Sequence, residues 1–182
     1  MLDRNQALAV SVDLQEKLVP AMAHPDTLIP ACGFLLEGLH ILKVPMLATQ
    51  QYTKGLGSTL PELMPMLDGK WIEKITFSCW KEPTFRETVE RSEAKQIIVL
   101  GTETHICVEQ TVLELLEAGY QVFLAADCVG SRFDLDRDMA LRRMEQAGAV
   151  ITTAEAMLYE LMATAKAEEF RQISALVKAR KG

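Results

Sequence analysis

The chain has 182 residues, 49% hydrophobic and 24% charged, with ten glycines and seven prolines; that balance fits one globular domain and excludes a disordered or fibrous chain. A formal net charge of −6, with no Lys/Arg cluster beyond short pairs such as Arg142-Arg143, argues against nucleic-acid binding. No apolar stretch approaches the roughly 20 residues that cross a bilayer, the start MLDRNQALAV lacks the basic flank and apolar segment of a signal peptide, and the four cysteines form no C-x-x-C pair, so free thiols in a reducing cytoplasm are expected.

In chain order, residues 7–13 (ALAVSVD) are a nearly unbroken apolar run ending in Asp13, as a strand buried on both faces should be. Residues 27–43 read as a helix with Pro30 near its start, where a missing N–H costs least. A second strand is expected at 44–51 (VPMLATQQ), and 71–77 (WIEKITF) is ambiguous. Pro83 opens a helix over 83–92, and 96–101 (QIIVLG) is another buried run. Over 106–119, Val108, Val112, Leu115 and Leu116 form one stripe, Glu109, Glu114 and Glu117 lie on the other, and Gly119 stands where a C-terminal cap belongs. A strand at 121–127 (QVFLAAD) precedes a helix over 134–148, which carries three early aspartates, later arginines and Gly148 after its end. A strand at 149–153 follows. The terminal helix, expected from about residue 165 to 178, carries Phe170, Ile173, Leu176 and Val177 at helical spacing and should dock on the domain or on a partner subunit, with residues 179–182 fraying. Strands alternating with helices predict an α/β fold, a parallel sheet covered on both faces, and no linker or repeat divides residues 1–182.

In open parallel sheets ligands bind beyond the carboxyl ends of the strands, which draws attention to Asp13, Lys74 and Cys107. A thiol attacks well only as thiolate, and a helix start with a nearby ammonium can lower its pKa from about 8.5. Asp13 could take the thiol proton and return it to a leaving group while Lys74 balances the charges. Each residue alone also has a plainer reading: a small buried thiol, a turn-forming aspartate, a solvated lysine. Cys32, Cys79 and Cys128 read as core or loop thiols, Cys128 being the nearest rival to Cys107 because it follows a strand. His24, His40 and His105 are scattered and no metal-ligand spacing exists, so no metal is expected. GLGSTL, ending in Leu60, fails the dinucleotide pattern, and no other cofactor is indicated.

With SVDLQ around Asp13, EKITFSCW around Lys74 and GTETHICVEQT around Cys107, the chain resembles the isochorismatase-like, or cysteine hydrolase, family; VPMLATQQY, GYQVFLAADCVGSR and RMEQAGAVITTAE support the likeness from about Leu8 to Leu161. The terminal helix resembles that of a subgroup of isochorismatase-domain proteins. The resemblance implies a three-layer α/β/α sandwich with a parallel, roughly six-stranded sheet. It also implies an Asp13, Lys74, Cys107 triad, an oxyanion hole from the backbone N–H groups of Glu103 and Cys107, and a cis peptide joining Thr102 to Glu103. Nicotinamidases of this family carry an aspartate and two histidines for a metal where this chain reads TQQYTKGLGS, and siderophore-pathway isochorismatases lack the cysteine. The expected function is therefore hydrolysis of an amide or related C–N acyl bond in a small molecule through a Cys107 thioester, without cofactor, in a homo-oligomer (dimer or tetramer). Gln51, Tyr52, Phe77, Trp80 and His105 are the expected pocket residues. The alternatives are a retired member acting as a binding module and an ether hydrolase that does not need Cys107.

Overall fold

The computed structural model describes residues 1–67 and 70–180. Six strands form one parallel sheet: β1 (Ala7–Val12), β2 (Met46–Gln51), β3 (Ile72–Lys74), β4 (Gln96–Thr102), β5 (Gln121–Gly130) and β6 (Val150–Thr152), in spatial order β3-β2-β1-β4-β5-β6. The ambiguous 71–77 segment supplies the short edge strand β3, ending at Lys74. The helices described are α1 (Pro25–Ile41), α2 (Thr53–Leu56), α3 (Pro83–Arg91), α4 (Glu109–Glu117), α5 (Asp134–Gln146), α6 (Ala154–Met162) and α7 (Phe170–Ala179).

Side chains alternate across the pleat. Ala7 and Ala9 of β1 with Ile98 and Leu100 of β4 enter one apolar cluster with α1, α6 and α7, whereas Leu8, Val10, Val12, Ile97 and Val99 enter the other with α3, α4 and α5. Those two clusters are the two helical layers of an α/β/α sandwich. Strands buried on both faces need apolar side chains at nearly every position, which is why β1 and β4 lack a polar stripe.

The strand order reverses between β1 and β4, since the chain leaves β1 toward β2 on one side and reaches β4 on the other. In open α/β sheets ligands bind beyond the carboxyl ends of strands at such a reversal. Gly101 sits there at φ 138, and a Cβ on it would collide with the Val12 carbonyl, so only glycine lets the strand ends approach this closely.

Several expectations shift by a few residues. The first helix begins at Pro25 with Pro25 itself in the opening turn, which leaves Pro30 inside the helix. β5 runs on to Gly130, and its pairing with β4 changes register between Val99 and Gly101, so Asp127 lies within an irregular strand instead of ending one. There it accepts the Ala154 N–H that starts α6 (2.8 Å) and pairs with Arg180 (2.8 Å). Helix α7 starts at Phe170, later than expected, because Ala163 is left-handed (φ 62) and Ala167 closes a turn onto Thr164. Ile173 is completely buried, and Phe170, Leu176 and Val177 pack against the α1 layer, so the terminal stripe docks on its own chain. Of the expected frayed tail, Ala179 belongs to α7 and Arg180 is paired, while residues 181–182 lie outside the described residues. Gly119 and Gly148 follow α4 and α5 at φ 89 and 107, as capping glycines.

Candidate active site

Asp13, immediately after β1, and Lys74, the last residue of β3, meet at an Oδ2–Nζ distance of 2.7 Å, and both side chains are sealed from solvent. An ammonium has three N–H groups. Here one goes to Asp13 and one to Gln51 Oε1 (2.7 Å), while the Phe77 and Thr76 carbonyls share the remainder (3.1 and 3.3 Å). Lys74 therefore has no donor left for a substrate; it acts through the carboxylate it holds and through its charge. Burial, the largest single influence, opposes that charge, but the Asp13 carboxylate together with Cys79 and Cys107 outweighs it, and the lysine's pKa is raised.

Cys107 comes from the turn after β4. Residues Thr104–Val108 form one turn of π-helix running directly into α4, with the Val108 N–H reaching back five residues to the Glu103 carbonyl (3.4 Å). Wider turns of this kind recur at functional sites. Thr111 braces it: its hydroxyl donates to the Cys107 carbonyl (2.6 Å) and accepts from the Cys79 N–H (2.9 Å). The thiol lies within the electrostatic influence of both Asp13 and Lys74. All three residues thus converge at the switch point.

The electrostatics depart from the expected thiolate. Burial, then the neighbouring Asp13 carboxylate, push Cys107 up to about 12, and the opposing pull of Lys74 is too small because its charge is already matched by Asp13. The resting group is a protonated thiol beside a carboxylate. Such a pair reacts by handing the proton over as the sulfur attacks.

The peptide between Thr102 and Glu103, expected to be cis, is trans, as are all the others described. The sharp exit from β4 is made instead by Glu103 in the left-handed region (φ 54, ψ 60). Asp13 (φ 51) and Tyr52 (φ 38) share that conformation, so non-glycine residues after three neighbouring strands, β1, β2 and β4, all occupy a sparsely populated region. Strain of about 1–3 kcal/mol per residue persists where surrounding contacts fix it, commonly around sites. The Thr102 hydroxyl ties two of these exits together by donating to the Asp13 carbonyl (2.7 Å).

The expected pocket residues divide. Gln51 spends both ends of its amide on the site's own frame, accepting from Lys74 and donating to the Ile75 carbonyl (2.8 Å). Tyr52 and Phe77 are exposed at the strand ends. Trp80 points elsewhere, packing edge-on against Tyr120 (5.6 Å between ring centres), which precedes β5 at the opposite end of the sheet. His105 is held by Ser131 (3.0 Å), between the carboxylates of Glu103 (3.7 Å) and Asp136 (3.8 Å). Arg132 pairs with Glu103 from the outer side (3.0 Å). A cavity of about 1360 Å³ lined by residues of α1, β5, α5 and α7 includes none of Asp13, Lys74 and Cys107.

Thr49, Cys79, Thr102 and Thr111 are site residues that sequence reasoning did not single out. Thr49 stands two positions before Gln51, and strand alternation puts both on one face; that was the available signal. Cys128, the rival thiol, is completely buried on the α1 side, where it donates to the Ala31 carbonyl (3.2 Å) while Cys32 donates to the Cys128 carbonyl (3.4 Å). Among the described residues no three His, Cys, Asp or Glu side chains gather as a metal-holding group, and no helix is long and apolar enough to cross a membrane.

The isochorismatase domain matches residues 7–156. The chain belongs to the isochorismatase family. Isochorismatase domain-containing protein 1 of Danio rerio is 35% identical over 167 residues, covering 91% of this chain; the chain spans 59% of that relative's length. Of solved structures, MAR1 ribonuclease from Caenorhabditis elegans superposes with a TM-score of 0.93 at 32% identity, over 100% of this chain and 94% of that one. The YcaC gene product of Escherichia coli, described as an octameric hydrolase of unknown specificity, gives 0.91 at 27% identity, over 96% and 88%. The chain shares the three-layer fold of these solved structures.

Proposed function

We propose that this isochorismatase-family hydrolase cleaves an amide or related C–N acyl bond of a small molecule through a thioester on Cys107. The observation that carries the reading is the convergence of a buried Asp13–Lys74 ion pair on a thiol at a helix start. Asp13 takes the Cys107 proton as the sulfur attacks the carbonyl carbon. The oxyanion that forms is received by the backbone N–H groups of Glu103 and Cys107, where each donor is typically worth about 3 kcal/mol. Asp13 then gives its proton to the departing nitrogen, the C–N bond breaks and the thioester remains. Water, deprotonated by the same carboxylate, attacks the thioester; the acid leaves and the thiol is restored. Lys74 holds the Asp13 carboxyl in place through the cycle.

The ether-hydrolase alternative needs Asp13 and Lys74 but not the sulfur, and a binding module needs none of the three. Activity on amide and vinyl-ether substrates, measured for Cys107→Ala and Asp13→Asn, separates these readings: loss in both variants supports the thioester route, and full amide turnover by Cys107→Ala refutes it. A ribonuclease activity like that named for the C. elegans protein finds no favourable electrostatics in this chain. The net charge is −6, and the one buried cation of the site is already matched by Asp13.

A homo-oligomer is part of the proposal. Tyr52, Ile75 and Phe77 stand exposed just beyond the carboxyl ends of β2 and β3, a face a second subunit would cover, in keeping with the octameric state described for the E. coli neighbour. Sedimentation at micromolar concentration tests this: a monomer with full activity would contradict it.

A further inference from the structure

Asp13 has two carboxylate oxygens with different partners. Oδ2 accepts from Lys74, and Oδ1 accepts from the Thr49 hydroxyl at 2.7 Å, a bond with both residues buried. Thr49 has a single hydroxyl proton, and Asp13 takes it. The contact between Thr49 Oγ1 and Cys79 Sγ (3.7 Å) is therefore one in which the thiol donates and the hydroxyl accepts. Cys79 is suited to that direction: burial, then the Asp13 charge, push it up to about 11, so it keeps its proton. Its backbone is fixed by Thr111, the side chain that also braces the Cys107 turn. A chain of donors thus runs from Cys79 through Thr49 to Asp13.

We propose that Thr49 is a positioning residue of the hydrolytic site, with Cys79 behind it: the hydroxyl fixes the rotation of the Asp13 carboxylate and stabilises its ionised form, leaving it free to receive the Cys107 proton. This rests on the reading of Asp13 as the base. The titratable groups facing Asp13 are Lys74 from β3, Cys79 from the short turn Cys79–Lys81, and Cys107 from the π turn. Removing a hydrogen-bond donor from a carboxylate makes its protonated form easier to reach. The acid limb of any Asp13-dependent reaction must then move to higher pH.

The test needs no substrate. Iodoacetamide modification of Cys107, followed by peptide mass mapping across pH, reads the base directly. Thr49→Val should move the acid limb upward by about one pH unit and slow modification below it about tenfold, while Thr49→Ser restores the wild-type profile. Cys79→Ala, which removes only the donor behind Thr49, should shift the limb the same way by a smaller step, and it decides the matter if Thr49→Val does not fold. An unmoved limb in the folded Thr49→Val protein, or in Cys79→Ala where that variant decides, overturns the inference. Asp13→Asn run in parallel separates the two levels. If it abolishes the limb while the Thr49 and Cys79 variants leave it in place, only the positioning role falls; if it too keeps the wild-type limb, the base assignment falls and this inference with it.

Discussion

Lys74 and Asp13 illustrate how little freedom the site leaves its charges. Separated by 61 positions along the chain, they meet with both side chains withdrawn from water, and every Lys74 donor is taken. Breaking such a pair from one side leaves an uncompensated buried charge, which costs about 3–5 kcal/mol. Lys74→Met should therefore lower stability by that amount in chemical denaturation, and the Lys74→Met/Asp13→Asn double variant should recover part of the loss, since no lone charge remains. Cys107→Ala behaves oppositely. The thiol is a small buried group, so stability should change by less than about 2 kcal/mol while turnover falls by a factor of at least about 10³. The three candidate residues could be named from the sequence because their types are those that nucleophilic acyl chemistry requires and the family resemblance pointed to their positions. Thr49 and Thr111 were not readable, because a threonine in a strand or helix looks the same whether its hydroxyl is idle or committed. Nor was the raised thiol pKa, which burial causes first and the Asp13 carboxylate second, both set by how the chain packs.

At the scale of elements, apolar runs and capping residues located β1, β4, α3, α4 and α5 to within a few residues, because burial on both faces of a strand leaves an unbroken apolar trace. What the pattern could not reveal is geometry that breaks regularity. The π turn before α4, the left-handed Glu103 and the register change in β5 all follow from how strand ends fit together, not from local preference. The π turn depends on Thr111. Thr111→Val would strip the Cys107 carbonyl and the Cys79 N–H of one partner, at about 1–3 kcal/mol, and loosen the nucleophile. Calorimetry should find the destabilisation, and kcat should fall more than binding weakens. Helix α7 depends on Ile173. Ile173→Ala should cost about 2–5 kcal/mol if the helix is held by its own chain, as its complete burial here requires; a change below about 0.5 kcal/mol would mean that α7 is held in another way.

For the whole molecule, three of the buried free cysteines, Cys79, Cys107 and Cys128, set a limit on alkaline stability. Burial pushes Cys79 to about 11, Cys107 to about 12 and Cys128 upward as well. An unfolded chain releases thiol protons near pH 8.5, roughly the ordinary value, whereas the folded protein retains them. The stabilisation is complete below that value and is lost as pH rises through the folded values, at up to about 1.4 kcal/mol per pH unit for each thiol. Denaturant midpoints should therefore fall between about pH 8.5 and pH 11; a flat response would contradict neutral burial of these thiols. The doubly wound topology has the complementary role of bringing chain segments from three strands to one end of the sheet, and it was legible because strands alternate with helices throughout. The identity of the substrate was not, because the side chains around the site sit on turns whose exposed faces no periodicity constrains.

The most direct measurement is intact-mass spectrometry of the protein quenched during turnover of a panel of small amides, with peptide mapping of any mass gained. An acyl increment on the Cys107 peptide, present in the native protein and absent from Cys107→Ala, is the expected result. An amide consumed at the native rate by Cys107→Ala, or an increment carried by Cys32, Cys79 or Cys128 instead, would contradict a thioester on Cys107.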